Sequence, residues 1–247
     1  MNTLTKRQKD LLISIINEFI ETAEAVGSIS LQSKYNLRFS TATIRNEMAD
    51  LVELGYLYQK HLSGGRIPTT KGWRYFVDEL ETTAMKEIGE EEKDEIKGHL
   101  YKIQDNSKDL IREAIGLLSL LTLNASIALI ENELYYAGLS EIVNIPEFRD
   151  TNNLKKMLSI LEDYYTLSNI LNQGNPDEDI NILIGEETNT EIFSEYSIIF
   201  TEIRANGDQK GYIAIIGPTR MRYDRVISAT KYISDIVRNL LKGDNKS

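Results

Sequence analysis

STATIRNEMADLVELGYLYQKHLSGGRIPTTKGWRYFVDEL, residues 40 to 80, carries in succession the signals of a helix, a hairpin and a second helix. Ser40 is a helix-capping residue type, Ile44, Met48, Leu51 and Val52 follow on one helical face, and Gly55 supplies a stop. Two short extended runs, YLYQK (56 to 60) and RIPT (66 to 69), enclose LSGG, so a hairpin is predicted there. Thr70 is placed to cap a further helix over KGWRYFVDEL, with Trp73, Phe76, Val77 and Leu80 available to pack backwards.

Working towards the N-terminus, Thr5 and Gln8 have capping-box spacing. Leu11, Leu12, Ile15, Ile16, Phe19, Ile20 and Ala23 then predict a helix over about residues 5 to 25, ended by Gly27. Ser28 or Ser30 can cap a short second helix through Tyr35. Three helices followed by a two-stranded hairpin is the element order of a winged helix-turn-helix, which sets a first domain at residues 1 to 80.

The charge pattern agrees with such a head. The 247-residue chain carries a net charge of −10, yet residues 1 to 80 hold ten Lys/Arg against nine Asp/Glu, and residues 28 to 77 hold seven against three. A polyanion responds to the face within a screening length of about 8 to 10 Å, so the acidic remainder does not exclude nucleic acid. The chain has no cysteine and only His61 and His99, which argues against disulfides, zinc sites and Cys/His hydrolases. LLISII is interrupted by Asn17 and Glu18 before it reaches membrane-spanning length; a cytoplasmic protein without cofactor or membrane contact is expected.

Past the head, residues 81 to 125 read as an acidic linker running into one long amphipathic helix. Ile96, Leu100, Ile103, Ser107, Leu110, Ala114, Leu117 and Leu121 alternate steps of four and three along it. That is a heptad seam flawed at Ser107. It serves either to lay the helix on its own domain or to pair subunits through Ile96, Leu100, Ile103, Leu110, Leu117 and Leu121. Residues 126 to 247 mix strands (SIALI, LYYAGL, INILIG, EYSIIFTEIR, GYIAIIG) with a helix over about 153 to 172 and a final amphipathic helix from Tyr223, an α+β pattern.

At 100° per residue, Ala42, Thr43, Asn46, Asp50 and Glu53 lie opposite the apolar face of the 40-to-55 helix, with Arg45 and Glu47 on its flanks. The leading half is small or polar and the acids gather behind it. A recognition helix uses its N-terminal residues on base edges, where Asn and Arg have the bidentate geometries for adenine and guanine, and Ser40 and Thr41 stand ready for a phosphate. Lys60, His61, Gly64, Gly65 and Arg66 form a cationic wing beside it, and Lys71 and Arg74 add candidate phosphate contacts. GPTRMRYDR (217 to 225) lacks the Gly-Lys-Ser/Thr of a nucleotide loop, and no constellation points to catalysis, so an enzyme is not expected.

TATIRNEMADLVELGYL, HLSGGRIPTTKGWRYFVDEL, GYIAIIGPTRMRYDRVISATKYIS and the EAVGS stretch at 24 to 28 resemble the HrcA family of heat-inducible transcription repressors. The resemblance implies a homodimer that binds double-stranded DNA at an inverted-repeat operator, CIRCE, upstream of chaperone genes. It also implies support from the chaperonin GroEL and a C-terminal GAF-like domain carrying an inserted dimerisation domain. In this chain SIALIENELYYAGLSEI joins segments that the family separates widely, which implies a reduced GAF-like domain without the insertion. Two other readings stay open: a winged-helix regulator of another regulon with a small-molecule-sensing C-terminal domain, and a winged helix kept as a protein-interaction module.

Overall fold

A computed structural model describes residues 4–35, 39–59, 61, 64–82, 88–130, 132–205 and 209–243. The chain divides into two units, Met1–Ala84 and Met85–Ser247.

In the first unit, α1 (Lys6–Thr22) starts where Thr5 and Gln8 cap each other. The Gln8 N–H donates to Thr5 Oγ1 (3.3 Å) and the Thr5 N–H to Gln8 Oε1 (3.0 Å). It stops short of the expected residue 25, because Ala23 turns left-handed (φ 57°) and its N–H closes on the Phe19 carbonyl. Gly27 instead caps α2 (Ser28–Lys34). α3 (Thr41–Glu53) begins at Ser40, whose hydroxyl accepts from the Thr43 N–H (3.1 Å). It ends at Gly55, where φ is 78° and the N–H groups of Gly55 and Tyr56 return to the carbonyls of Val52 and Leu51. A left-handed residue closing two last-turn carbonyls is the role glycine fills at helix ends.

β1 (Leu57–Tyr58) and β2 (Ile67–Pro68) form the expected hairpin. A third antiparallel rung, hidden in the sequence, joins Val26 to Arg66 through N–H···O bonds of 2.9 and 2.8 Å. That rung explains Gly65: a Cβ there would lie 2.4 Å from the Ala25 carbonyl. α4 (Thr70–Thr82) is capped by Thr69 and not by Thr70, since the Gly72 N–H donates to Thr69 Oγ1 (3.2 Å) and the Trp73 N–H to the Thr69 carbonyl. Thr69 Oγ1 also donates to the Gly55 carbonyl (2.7 Å), tying the end of α3 to the start of α4. Leu12, Ile15, Ile16, Leu31, Ile44, Met48, Leu51, Trp73 and Val77 fill the core between these elements. Each such side chain contributes about 1.5 to 3 kcal/mol on burial.

The second unit departs from the expected single long helix at its start. Instead of one long helix there are two, α5 (Glu90–Lys102) and α6 (Ser107–Thr122), parted at Ile103 to Asn106. Asn106 caps α6 by accepting from the N–H groups of Lys108 and Asp109, and Asp105, Asn106 and Ser107 are all residues whose side chains compete for helical backbone. The expected pairing seam is therefore not continuous. Ile96, Leu100 and Leu110 are buried in their own unit, and Ile103, Leu117 and Leu121 are half-buried.

β3 (Ala125–Ile130), β4 (Glu133–Ala137), β5 (Asn181–Ile184), β6 (Tyr196–Ala205) and β7 (Gln209–Pro218) form an antiparallel sheet in the order β4-β3-β7-β6-β5. The LYYAGL strand stops at Ala137, as Gly138 (φ 81°) turns the chain into α7 (Leu139–Ile142). The helix expected over 153 to 172 is likewise two, α8 (Thr151–Glu162) and α9 (Tyr164–Leu171). Asp163 breaks it by capping α9, accepting from the Thr166 N–H (3.0 Å) and hydroxyl (2.7 Å), bonds that hold its carboxyl below the usual range. One sheet face, with Ile127, Ile198, Phe200 and Ala214, packs on α8 and α9 through Met157, Ile160, Leu167 and Ile170. α10 (Tyr223–Gly243) and α6 lie against the sheet as well. Residues 206–208 of the ANGDQ turn lie outside the described residues.

Gly72 is the tightest junction of the first unit, with a Cβ position only 2.3 Å from the Tyr56 carbonyl oxygen. Overpacking against fixed backbone costs typically about 1 to 3 kcal/mol, so Gly72→Ala lowers the urea midpoint of unfolding by that equivalent. Gly89→Ala, where a Cβ meets nothing within 4 Å, leaves the midpoint within about 0.5 kcal/mol of wild type.

Candidate nucleic-acid interface

α3 meets its own unit with Ile44, Glu47, Met48 and Leu51 and leaves Ala42, Arg45, Asn46, Ala49, Asp50 and Glu53 exposed. Thr41 and Thr43 are half-buried at its leading end. The Ser40 hydroxyl is occupied by the cap and by a 2.9 Å contact with Thr43 Oγ1, so its first duty is to start the helix. The outward surface is thus uncharged or basic over its first turns and acidic only towards Glu53, which is the polarity the spacing predicts. The free N–H groups at the leading end favour an anion there.

Glu47, expected on a flank, is buried and ion-paired with Arg7 of α1. Arg7 also lies 5.4 Å over the Phe39 ring, so one guanidinium ties α1 to both the approach and the second turn of α3. Nothing in the sequence spacing links position 7 to position 47. A buried acid in a helix whose other acids are exposed is a signal visible only once the helical face is known.

The candidate phosphate-contacting cations of the hairpin and α4 are placed less freely than the sequence suggests. Lys71 donates from Nζ to the Leu54 carbonyl (2.7 Å) and lies 4.3 Å from the Tyr56 ring centroid, where a cation complements the C-terminal end of α3. Arg66 is half-buried and turns back to the Gly64 carbonyl (3.2 Å), which also accepts from Gln59. Arg74 is half-buried and 3.7 Å from Asp78. His61 is exposed, and its carbonyl accepts from the Gly64 N–H (2.8 Å). Lys60 lies outside the described residues. The structure therefore brings Ala42, Arg45 and Asn46 together on one exposed helix edge, and gives Lys71 and Arg66 internal partners.

In the second unit the GPTRMRYDR stretch is likewise built into the fold: Arg220 is mostly buried and bidentate on Glu147, and Arg225 reaches the Leu121 carbonyl and Glu92. Among the described residues there is no group of three His, Cys, Asp or Glu that could hold a metal, and no helix long and apolar enough to cross a membrane.

The class that the fold defines is an α+β chain of two units, a helix-and-hairpin unit followed by an antiparallel sheet with helices. Within it the chain belongs to the HrcA family: the family profile described as HrcA protein C terminal domain matches residues 70–227. The heat-inducible transcription repressor HrcA of Brevibacillus brevis is 28% identical over 336 aligned positions, covering 96% of this chain and 98% of that protein. The protein of the same name from Caldanaerobacter subterraneus subsp. tengcongensis is 29% identical over 336 positions, covering 96% and 97%. Both alignments are longer than the 247 residues of this chain, so the relatives hold residues without a counterpart here. The fold is shared with a crystal structure of a hypothetical protein, with a TM-score of 0.80, 18% identity, and coverage of 98% of this chain and 99% of that one.

Removing Arg7 strands the Glu47 carboxylate in the interior. Because Arg7 is half exposed, Arg7→Met costs about 1 to 2 kcal/mol of stability, less than the 3 to 5 of a fully buried pair. Adding Glu47→Gln to that variant recovers part of the loss. A urea-denaturation double-mutant cycle reads the coupling, and strictly additive costs would show that the pair does not seat α3.

Proposed function

We propose that this chain is a sequence-specific DNA-binding transcription repressor of heat-shock genes. It uses residues 1 to 80 as a winged helix-turn-helix and binds an inverted-repeat, CIRCE-type operator as a dimer. The observation that carries the reading is the exposed leading edge of α3. Ala42, Arg45 and Asn46 stand clear of the core directly after a capped helix start, while the opposite face is fully packed. In this reading Asn46 and Arg45 contact base edges in the major groove, Ala42 allows close approach, and the α3 N-terminus with Thr41 and Thr43 meets a phosphate. The hairpin lies on the adjacent backbone or minor groove, with Gly64, Gly65 and His61 at its tip and Arg66 holding the tip's shape. Membership of the HrcA family supports the regulon, since its relatives bear the name heat-inducible transcription repressor. The repressor acts in the cytoplasm and needs no catalytic step.

Gel-shift titration on a duplex with two inverted half-sites tests the reading. With about six phosphates engaged, affinity falls roughly a thousandfold between 50 and 200 mM salt. Asn46→Ala lowers discrimination between the operator and a single-base variant by about 1 to 3 kcal/mol while leaving non-specific affinity nearly unchanged. Salt-insensitive binding, or an Asn46→Ala protein with intact operator preference, defeats the assignment.

A further inference from the structure

Among the described residues β4 stands at the end of the five-stranded sheet and is hydrogen-bonded on one side only, to β3. Its register fixes which backbone groups are left over. Ile130 pairs with Glu133 across two intervening residues, and a two-residue hairpin makes that flanking pair a hydrogen-bonded one. Alternation then gives Ala128 with Tyr135 and Ser126 with Ala137 as the other bonded pairs. The N–H and C=O groups of Leu134 and Tyr136 consequently point away from the sheet. Natural sheets blunt such edges with proline, lysine or a bulge, whereas ELYYA has none of these and leaves the Tyr136 side chain 55% exposed.

We infer that this edge is covered by β4 of a second copy of the chain, joining two five-stranded sheets into one antiparallel ten-stranded sheet. The segment is self-complementary. With a two-fold axis at Tyr135, Leu134 of one copy lies across from Tyr136 of the other and Tyr135 across from Tyr135, so apolar and aromatic side chains meet on both faces. Glu133, the single charge in the strand, falls opposite Ala137 and keeps its own-chain partner Lys108 (3.0 Å), so like charges do not meet along the strand.

α6 supplies a matching flank. Its side nearest β4 is marked by Lys108, paired with Glu133, and by Ser119, packed on Gly138. Turning outward from Ser119 at 100° per residue brings Arg112 and then Gly116 within about 60°. A Cβ on Gly116 would meet nothing within 4 Å, so its own fold does not require glycine there. Leu123, whose N–H closes on the Ser119 carbonyl, holds a left-handed backbone (φ 54°) that disfavours leucine, yet its side chain is 60% exposed. An apolar residue kept at a strained and wet position is accounted for when a second copy removes it from water.

The inference rests on the dimeric reading above but is tested without DNA. Sedimentation velocity of the full chain at tens of micromolar finds a dimer. Tyr136→Pro deletes an N–H that the monomer does not use, so it leaves far-UV circular dichroism unchanged and yields a monomer. Leu123→Asp, whose new residue type tolerates the left-handed backbone, weakens the dimer at least tenfold with no loss of unfolding midpoint. A wild-type monomer overturns the inference, as does a dimer that survives both substitutions. If Tyr136→Pro alters the dichroism, Leu123→Asp decides. A protein that dimerises but fails to bind the operator defeats the proposed function alone.

Discussion

The first unit depends on a contact between two short pieces of chain, residues 54–56 and 69–72, on either side of the hairpin. The Gly55 carbonyl takes a hydrogen bond from Thr69, the Tyr56 carbonyl sits where a Gly72 side chain would be, and Lys71 closes the Leu54 carbonyl. The end of α3 is thus gripped by the start of α4, with only the hairpin between them. Because α3 is 13 residues long and marginal as an isolated helix, its orientation comes from this grip and from the packed face at Ile44, Met48 and Leu51. Arg7 and Glu47 fix the same helix from the opposite end. A helix fixed at both places has little freedom to roll, which is the rigidity that the proposed base contacts of Asn46 and Arg45 would need.

The same contacts show why net charge is a poor guide to the surface that matters. Of the basic residues that give residues 28 to 77 their local excess, Lys71 and Arg66 turn inward to backbone carbonyls and Arg74 is half-buried near Asp78. Arg45 remains exposed on α3 with Asn46. At the candidate interface the capped helix start and its backbone N–H groups therefore stand beside Arg45 as sources of positive character. A dipole of that kind acts over the first turn only, so it sharpens placement without adding long-range pull.

Local chemistry was legible in the sequence and non-local chemistry was not. Capping at Thr5, Ser40 and Gly55, the hairpin, and the exposure of Ala42, Asn46, Asp50 and Glu53 all follow from spacings within a few residues, and the structure reproduces them, whereas Thr43 of the same face is half-buried and Arg45, expected on a flank, is exposed. The two broken helices share one cause. Asn106 and Asp163 each compete for backbone inside an otherwise periodic run, where apolar periodicity by itself predicts a continuous helix. The Val26 to Arg66 rung, the Arg7 to Glu47 pair and the reason for Gly72 involve partners 40, 40 and 16 positions apart, and residue type alone cannot name such partners.

The apolar seam from Ile96 to Leu121 also illustrates what apolar periodicity measures. Ile96, Leu100 and Leu110 are apolar because they face their own sheet unit, so their regular spacing reports burial and says nothing of a partner. The residues informative about a partner are those that folding does not account for: an open strand edge at Leu134 and Tyr136, and an exposed leucine at a backbone angle suited to glycine. Only two positions separate the paired Ile130 and Glu133, so β4 follows β3 directly in the sheet. An uncovered edge pairs with whatever strand matches it, the nearest match in composition and register being its own copy.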